Sequence, residues 1–204
     1  MQSSSRFFSL GVAAAVLFGV AGCAVSVSPK LDARAAPVLV KERLPLRAAV
    51  LIPEEDRNRT YEYSFFLFMQ PVDIKFTPGR TLQDAVLLSF TSVFDRITVV
   101  PNRAAARDHH ILLLPKLLDV KMEGRTNWAR NRYEATVSLG GTLTVLDQSG
   151  REVIAIRGEA EATGEVVRED SAARFLSDAI GDLVRRWGEQ LALSNELDRY
   201  AARV

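Results

Sequence analysis

The chain is poor in the residues on which most site chemistry depends. It has one cysteine and two histidines in 204 residues. A single thiol excludes an internal disulfide, a paired-cysteine redox motif and a thiolate metal cage. His109 and His110 are adjacent, and neighbours on a strand point to opposite faces, so they do not converge on one metal and read as the start of a strand. There is no Gly-x-Ser-x-Gly elbow, no His-Glu-x-x-His and no phosphate-cradling glycine loop. An excess of one charge is missing too, since 26 basic residues face 25 acidic ones. Balance of this kind argues against bulk nucleic-acid binding, which uses a clustered basic excess. No catalytic residue, cofactor or metal is therefore expected, although a glycosidase-type carboxylate pair depends on a spatial separation that sequence does not give.

What is present begins at the N-terminus. Arg6 supplies a positive charge, Phe7 to Val20 form an apolar run of fourteen residues, and Val20-Ala21-Gly22-Cys23 follows. A spanning helix needs about 20 apolar residues, so the run suits an export signal better than a membrane span. Val20-Ala21-Gly22-Cys23 resembles the lipobox of bacterial lipoproteins, in which the signal is cut before the cysteine and its thiol and amino group receive acyl chains. The alternative is an ordinary secretory signal with a cysteine near its cut site. The resemblance implies lipidation of Cys23, attachment to membrane through that lipid and, because Ala24 rather than Asp follows, delivery to the outer membrane facing the periplasm. Arg6 leaves with residues 1–22, and the remaining 182 residues carry 25 charges of each sign. That length supports one domain with a real core.

Residues 23–46 carry Pro29, Pro37 and Pro45 with scattered charges and read as the lipidated cysteine and a flexible tether. A domain is expected over 47–193, with 194–204 as a tail. Arg47 to Ile52 reads as a buried strand and Tyr61 to Gln70 as an aromatic one. Thr81 to Phe94 reads as a helix with Thr81 as N-cap and Asp84 three positions on. Ile97 to Val100 is a short strand, and His109 to about Glu123 a long one, in which Pro115 marks an edge or a bulge. Alternation is clearest over Tyr133 to Val145, and Asp147-Gln148-Ser149-Gly150 turns the chain into a partner strand, Glu152 to Val166. Within the alternating run, Gly140-Gly141 marks a bulge or a close backbone approach. Ser171 to Leu193 has an apolar stripe of Leu176, Ile180, Leu183, Val184, Trp187 and Leu191. The expected fold is α+β: a mostly antiparallel sheet with a long-stranded meander, and two amphipathic helices packed on one face.

The run of a helix, a strand ending Thr98-Val99-Val100, Ile111-Leu112-Leu113-Leu114 leading to Tyr133 through Leu146, Ser149-Gly150 and a closing amphipathic helix resembles a group of periplasmic lipoprotein domains over residues 47–193. The group takes in curli-secretion-like lipoproteins, lipoprotein activators of peptidoglycan synthases, the lipopolysaccharide-assembly lipoprotein and the TolB N-terminal-like fold. It implies an adaptor or assembly factor in an envelope assembly, secretion or transport complex, with envelope proteins or further copies of itself as partners and no nucleic acid.

Two surfaces are candidates for binding. The segment Arg125 to Arg132 joins two long strands and combines Arg125, Trp128, Arg130 and Arg132, residue types enriched in interface hot spots. The alternative is a solvated loop whose Trp128 folds back on the sheet. The aromatic strand, with Tyr63 and Phe65 on one face, is either a platform for a partner or lipid or a strand buried on both faces. A ligand- or lipid-binding module and a cell-wall enzyme are the competing functional classes.

Overall fold

A computed structural model describes residues 25–28, 30–67, 70–127, 132–166 and 171–204. Cys23, Trp128 and Arg130 lie outside the described residues. In chain order the elements are β1 (Val25–Val27), β2 (Leu44–Val50), α1 (Glu54–Arg57), β3 (Tyr61–Leu67), β4 (Gln70–Phe76), α2 (Gly79–Phe90), β5 (Phe94–Val99), a 3-10 turn (Arg103–Ala106), β6 (Ile111–Asn127), β7 (Arg132–Asp147), β8 (Glu152–Glu165), α3 (Ser171–Ala192) and α4 (Asn195–Ala201).

The sheet is mixed rather than mostly antiparallel. Five strands run in the order β5-β2-β6-β7-β8, and β2 lies parallel to both of its neighbours. The physical reason is the crossover. The chain leaves β2, passes through α2 and returns to β5 in the same direction, as a strand-helix-strand unit requires. Only β6, β7 and β8 form an antiparallel meander. A second, three-stranded sheet has the order β1-β4-β3. The segment expected as one aromatic strand, Tyr61 to Gln70, is instead a hairpin that reverses between Leu67 and Gln70, and β4 goes unpredicted although Val72, Ile74 and Phe76 alternate with Asp73 and Lys75, because the run is short and opens on Pro71.

One core lies between the five-stranded sheet and the helices. Leu46, Ala48 and Val50 of β2, Ile111 and Leu113 of β6, and Val137, Leu139, Leu143 and Val145 of β7 pack with α2, α3 and the inner residues Val72, Ile74 and Phe76 of β4. The alternate residues Ala49, Leu112 and Leu146 form a small cluster on the opposite face. Trp187 of α3 is fully buried, and its ring lies on the directly paired glycines Gly141 and Gly158. A Cβ built on either glycine would stand 2.9 Å from the indole. The Gly140-Gly141 pair is thus explained by close approach at its second member. The indole N–H of Trp187 has no partner among the described residues, at a cost of about 1–3 kcal/mol. Burying the ring contributes roughly 4–6 kcal/mol as an upper estimate, so the contact is net stabilising.

Pro115 sits where the ladder to β2 ends. Leu51 donates its N–H to the Leu113 carbonyl as the last such bond, and two residues later proline offers no N–H to an absent neighbour. The β6 register then shifts between Leu117 and Asp119. Thr81 does not cap α2. The helix starts at Gly79 with Pro78 before it, and Thr81 is buried within the first turn.

The described segments flanking the expected domain are more ordered than their composition implies. Part of the segment read as a tether is fastened to the helices. The Val38 N–H donates to the Ser89 carbonyl, the Ser89 hydroxyl to the Ala36 carbonyl, and the Ser92 hydroxyl to the Val38 carbonyl. Val38 is buried, and Gly181 and Gly188, on one side of α3, leave room for this strap. A Cβ on Gly181 would overlap the Arg34 carbonyl oxygen, and one on Gly188 would overlap Val38. Likewise the expected tail contains α4, whose Ser194 hydroxyl caps the Leu197 N–H; Leu197 is buried, and the Tyr200 hydroxyl donates to the His110 carbonyl. His109 and His110 precede β6 and clasp its root: His109 Nε2 lies 2.7 Å from the Thr98 hydroxyl, and His110 Nδ1 accepts from the Arg47 N–H. Burial, with the Arg47 charge, lowers the His110 pKa.

Gly181→Ala is expected to destabilise the domain by about 1–3 kcal/mol in urea unfolding, because the added methyl must displace the strap. Limited proteolysis should show earlier cleavage between residues 30 and 40, and an unchanged cleavage pattern would show that the strap does not depend on this notch.

Candidate functional site on the outer face of the long strands

The strand alternation that buries Leu139, Leu143 and Ile156 turns a second set of side chains outward. Three cross-strand rows dominate this face. Lys116, Thr142 and Arg157 form one, Asp119, Gly140 and Glu159 the next, and Lys121, Ser138 and Glu161 the third. Gly140 has no side chain, and space above it is open except for the Asp119 Cβ at 3.6 Å. A depression of about 520 Å³ results, lined by residues of the lower two rows together with Arg157 and with Arg186 of α3.

Its charges are unevenly satisfied. Lys121 pairs with Asp119 at 2.9 Å, and Arg186 pairs with Asp182 at 2.8 Å. Hydrogen bonding to Asp119 raises the Lys121 pKa. Among the described residues Arg157, Glu159 and Glu161 form no ion pair and no side-chain hydrogen bond. All three belong to β8, whose other edge has no strand partner among the described residues. The outer face therefore offers both signs of charge beside an open strand edge. Sequence reasoning missed this set. Its available signal was the alternation Arg157-x-Glu159-x-Glu161, whose meaning depends on Gly140 standing opposite.

The predicted binding residues gather elsewhere, at one end. Arg125 pairs with Glu134 at 3.5 Å and Arg132 with Glu165 at 2.8 Å, where the meander closes. Exposed pairs of this kind contribute about 0–1 kcal/mol. Tyr63 is half-buried between the sheets, and its hydroxyl donates to the Val120 carbonyl at 2.5 Å. Phe65 lies two residues further along β3, opposite Val72. Tyr61 borders Lys116 and Leu117, and Tyr63 meets Val120, so β3 runs alongside β6 in the same direction. The β3–β4 and β6–β7 hairpins consequently close at the same end of the molecule. Among the described residues, the cavity lined by Tyr61, Leu82 and Leu117 measures about 10 Å³, room for one water.

Among the described residues, no group of three or more His, Cys, Asp or Glu side chains could hold a metal, and no helix is long and apolar enough to cross a membrane.

No family model matches the chain, and no curated protein matches it. Among solved structures, a Xanthomonas campestris protein of the DUF330 family is similar with a TM-score of 0.56 at 10% identity, over 88% of this chain and 100% of the other. A hypothetical protein from Chlamydia trachomatis gives a TM-score of 0.47 at 9% identity over 78% of this chain and 99% of its own. A minor lipoprotein from Acinetobacter baumannii gives 0.43 at 10% identity over 72% and 92%. The first similarity shows a shared fold and extends well beyond the long-stranded meander.

Tyr63→Phe should cost about 1 kcal/mol, because the Val120 carbonyl loses its partner on a strand edge. Burial above all, with Tyr61 and Asp119 adding to it, pushes the Tyr63 pKa to about 12. The folded state then holds this proton more tightly than the unfolded chain, so its contribution is complete below pH 10 and is lost as pH rises toward 12. Tyrosinate absorbance with parallel unfolding curves should show that decline in the native protein and less of it in Tyr63→Phe.

Proposed function

We propose that this chain is an exported lipoprotein, cut before Cys23 and held by acyl chains on that residue at the outer membrane, facing the periplasm. It serves there, without catalysis of its own, as an adaptor or assembly factor that docks envelope proteins. Val20-Ala21-Gly22-Cys23 supports the anchoring part of this reading.

The observation that carries the docking part is the mixed-charge depression on β6, β7 and β8. Charges on a sheet usually find neighbours across the strands, yet Arg157, Glu159 and Glu161 surround the gap at Gly140 without partners among the described residues. Both signs of charge at short spacing favour one orientation of a complementary surface and penalise others. The open edge of β8 adds main-chain donors and acceptors to which an extended partner segment can pair. Among the described residues, Val72, Ile74 and Phe76 of the small sheet are buried in the core and the space beside Tyr61 holds one water, so none of these offers a lipid-carrying groove.

Crosslinking in intact cells, followed by affinity purification, should recover specific envelope proteins with the native chain. The double variant Arg157→Glu, Glu161→Lys reverses the pattern on an exposed strand and should lower recovery by tenfold or more while leaving the unfolding midpoint close to native. Equal recovery would remove this face from the docking role.

A further inference from the structure

Register brings the start of β1 close to the closing pair of the β3–β4 hairpin. β1 is parallel to β4, with Val25 beside Val72, and Val72 lies opposite Phe65. Cys23 precedes Val25 by two residues, a stretch that spans at most about 7 Å. Gln70 and Leu67, the closing pair of the β3–β4 hairpin, lie two residues beyond Val72 in the same direction, also about 7 Å. The chain length from Val25 back to Cys23 and the distance from Val72 to the hairpin end are therefore about equal.

We propose that this end of the three-stranded sheet is a membrane-contacting face, occupied by the phospholipid leaflet that receives the acyl chains of Cys23. The inference rests on the lipid-anchor reading above and adds an orientation to it. A headgroup layer is about 5–8 Å thick on each side of the hydrocarbon. A stem of at most about 7 Å does not hold β1 clear of that layer, and β1 is hydrogen-bonded into the sheet. The chain that would otherwise act as a long spacer, from Arg34 to Val38, lies after β1 and is bound to α2 and α3.

The composition of the hairpin fits that position. Phe65-Phe66-Leu67 is an apolar run in a protein with balanced charge, and it ends β3 at the closing pair with Gln70. Glu62 and Ser64 of β3, toward the far end of the strand, are polar and exposed. Arg125 stands within about a residue of the same level on β6, since Tyr63 meets Val120 and the strands run together. A guanidinium there is placed for headgroup phosphates, as arginine is at membrane interfaces. The opposite end, with the 3-10 turn before β6, lies roughly 40 Å away along the strands and faces the periplasm.

Because acylation consumes the only natural thiol, a cysteine placed elsewhere can be labelled alone. The mature acylated protein is reconstituted in vesicles of phosphatidylethanolamine and phosphatidylglycerol, with a fluorophore on Leu67→Cys, Gln70→Cys or, as the distant reference, Arg107→Cys. Nitroxide-bearing lipids should quench the label at 67 and at 70 at least threefold more than the label at 107. Either of the first two suffices should the other variant fold poorly. Acylated, vesicle-bound protein in which both positions are quenched no more than 107 overturns the inference and leaves the anchor reading intact. A mature mass without acyl chains on Cys23 overturns the anchor reading and the inference with it.

Discussion

The approach of α3 to the sheet is the constraint on which the rest of the molecule depends. Trp187 rests on the backbone of Gly141 and Gly158, so the helix comes closer to β7 and β8 than any side chain at those positions would allow. Gly181 and Gly188 then let the N-terminal strap come equally close to the helix. Four absent side chains thus set two layer spacings. The strap leads back to β1, β1 is paired with β4, and the position of the small sheet at the end of the meander follows from that sequence of contacts.

This arrangement separates the surface into regions of different chemistry. One end joins the start of β1 to the apolar β3–β4 hairpin and to the arginines of the meander. The outer face of β6, β7 and β8 is charged in both signs and open around Gly140. The root of β6 is tied down by His109, His110 and Tyr200. The two regions share no residue, so the proposed anchoring and the proposed docking would not compete. The chain is near neutral, so the charges of the outer face act over short range only.

Much of the architecture was legible in the sequence because it follows from local period. The meander was visible in the alternation from Tyr133 to Val145 and its turn at Ser149-Gly150, and α3 in the stripe from Leu176 to Leu191. What failed was local pattern without a local cause. The tether reading rested on prolines and scattered charge, but Val38 is buried by α2 and α3, which follow it by some fifty to one hundred and fifty residues. The aromatic run looked like one strand because its reversal carries no glycine, asparagine or proline at the turn itself. The hydrogen bond from Tyr63 to the Val120 carbonyl joins the small sheet to β6, a contact between distant segments that no local pattern displays.

By itself the sequence determined the lipobox-like motif with its sole cysteine, the scarcity of groups for redox or metal chemistry, and the strands and helices whose side chains alternate or recur with a fixed period. These are properties of neighbouring residues, and neighbours are what a sequence displays. The tertiary structure alone decided that β2 is parallel to β5 and β6, that Gly140 opens a gap between Asp119 and Glu159, and that the segment just after Cys23 lies beside an aromatic hairpin some forty residues away. Each depends on strand register and helix approach between distant segments, where the free energy comes from burying apolar surface and no short-range pattern records which surfaces will meet.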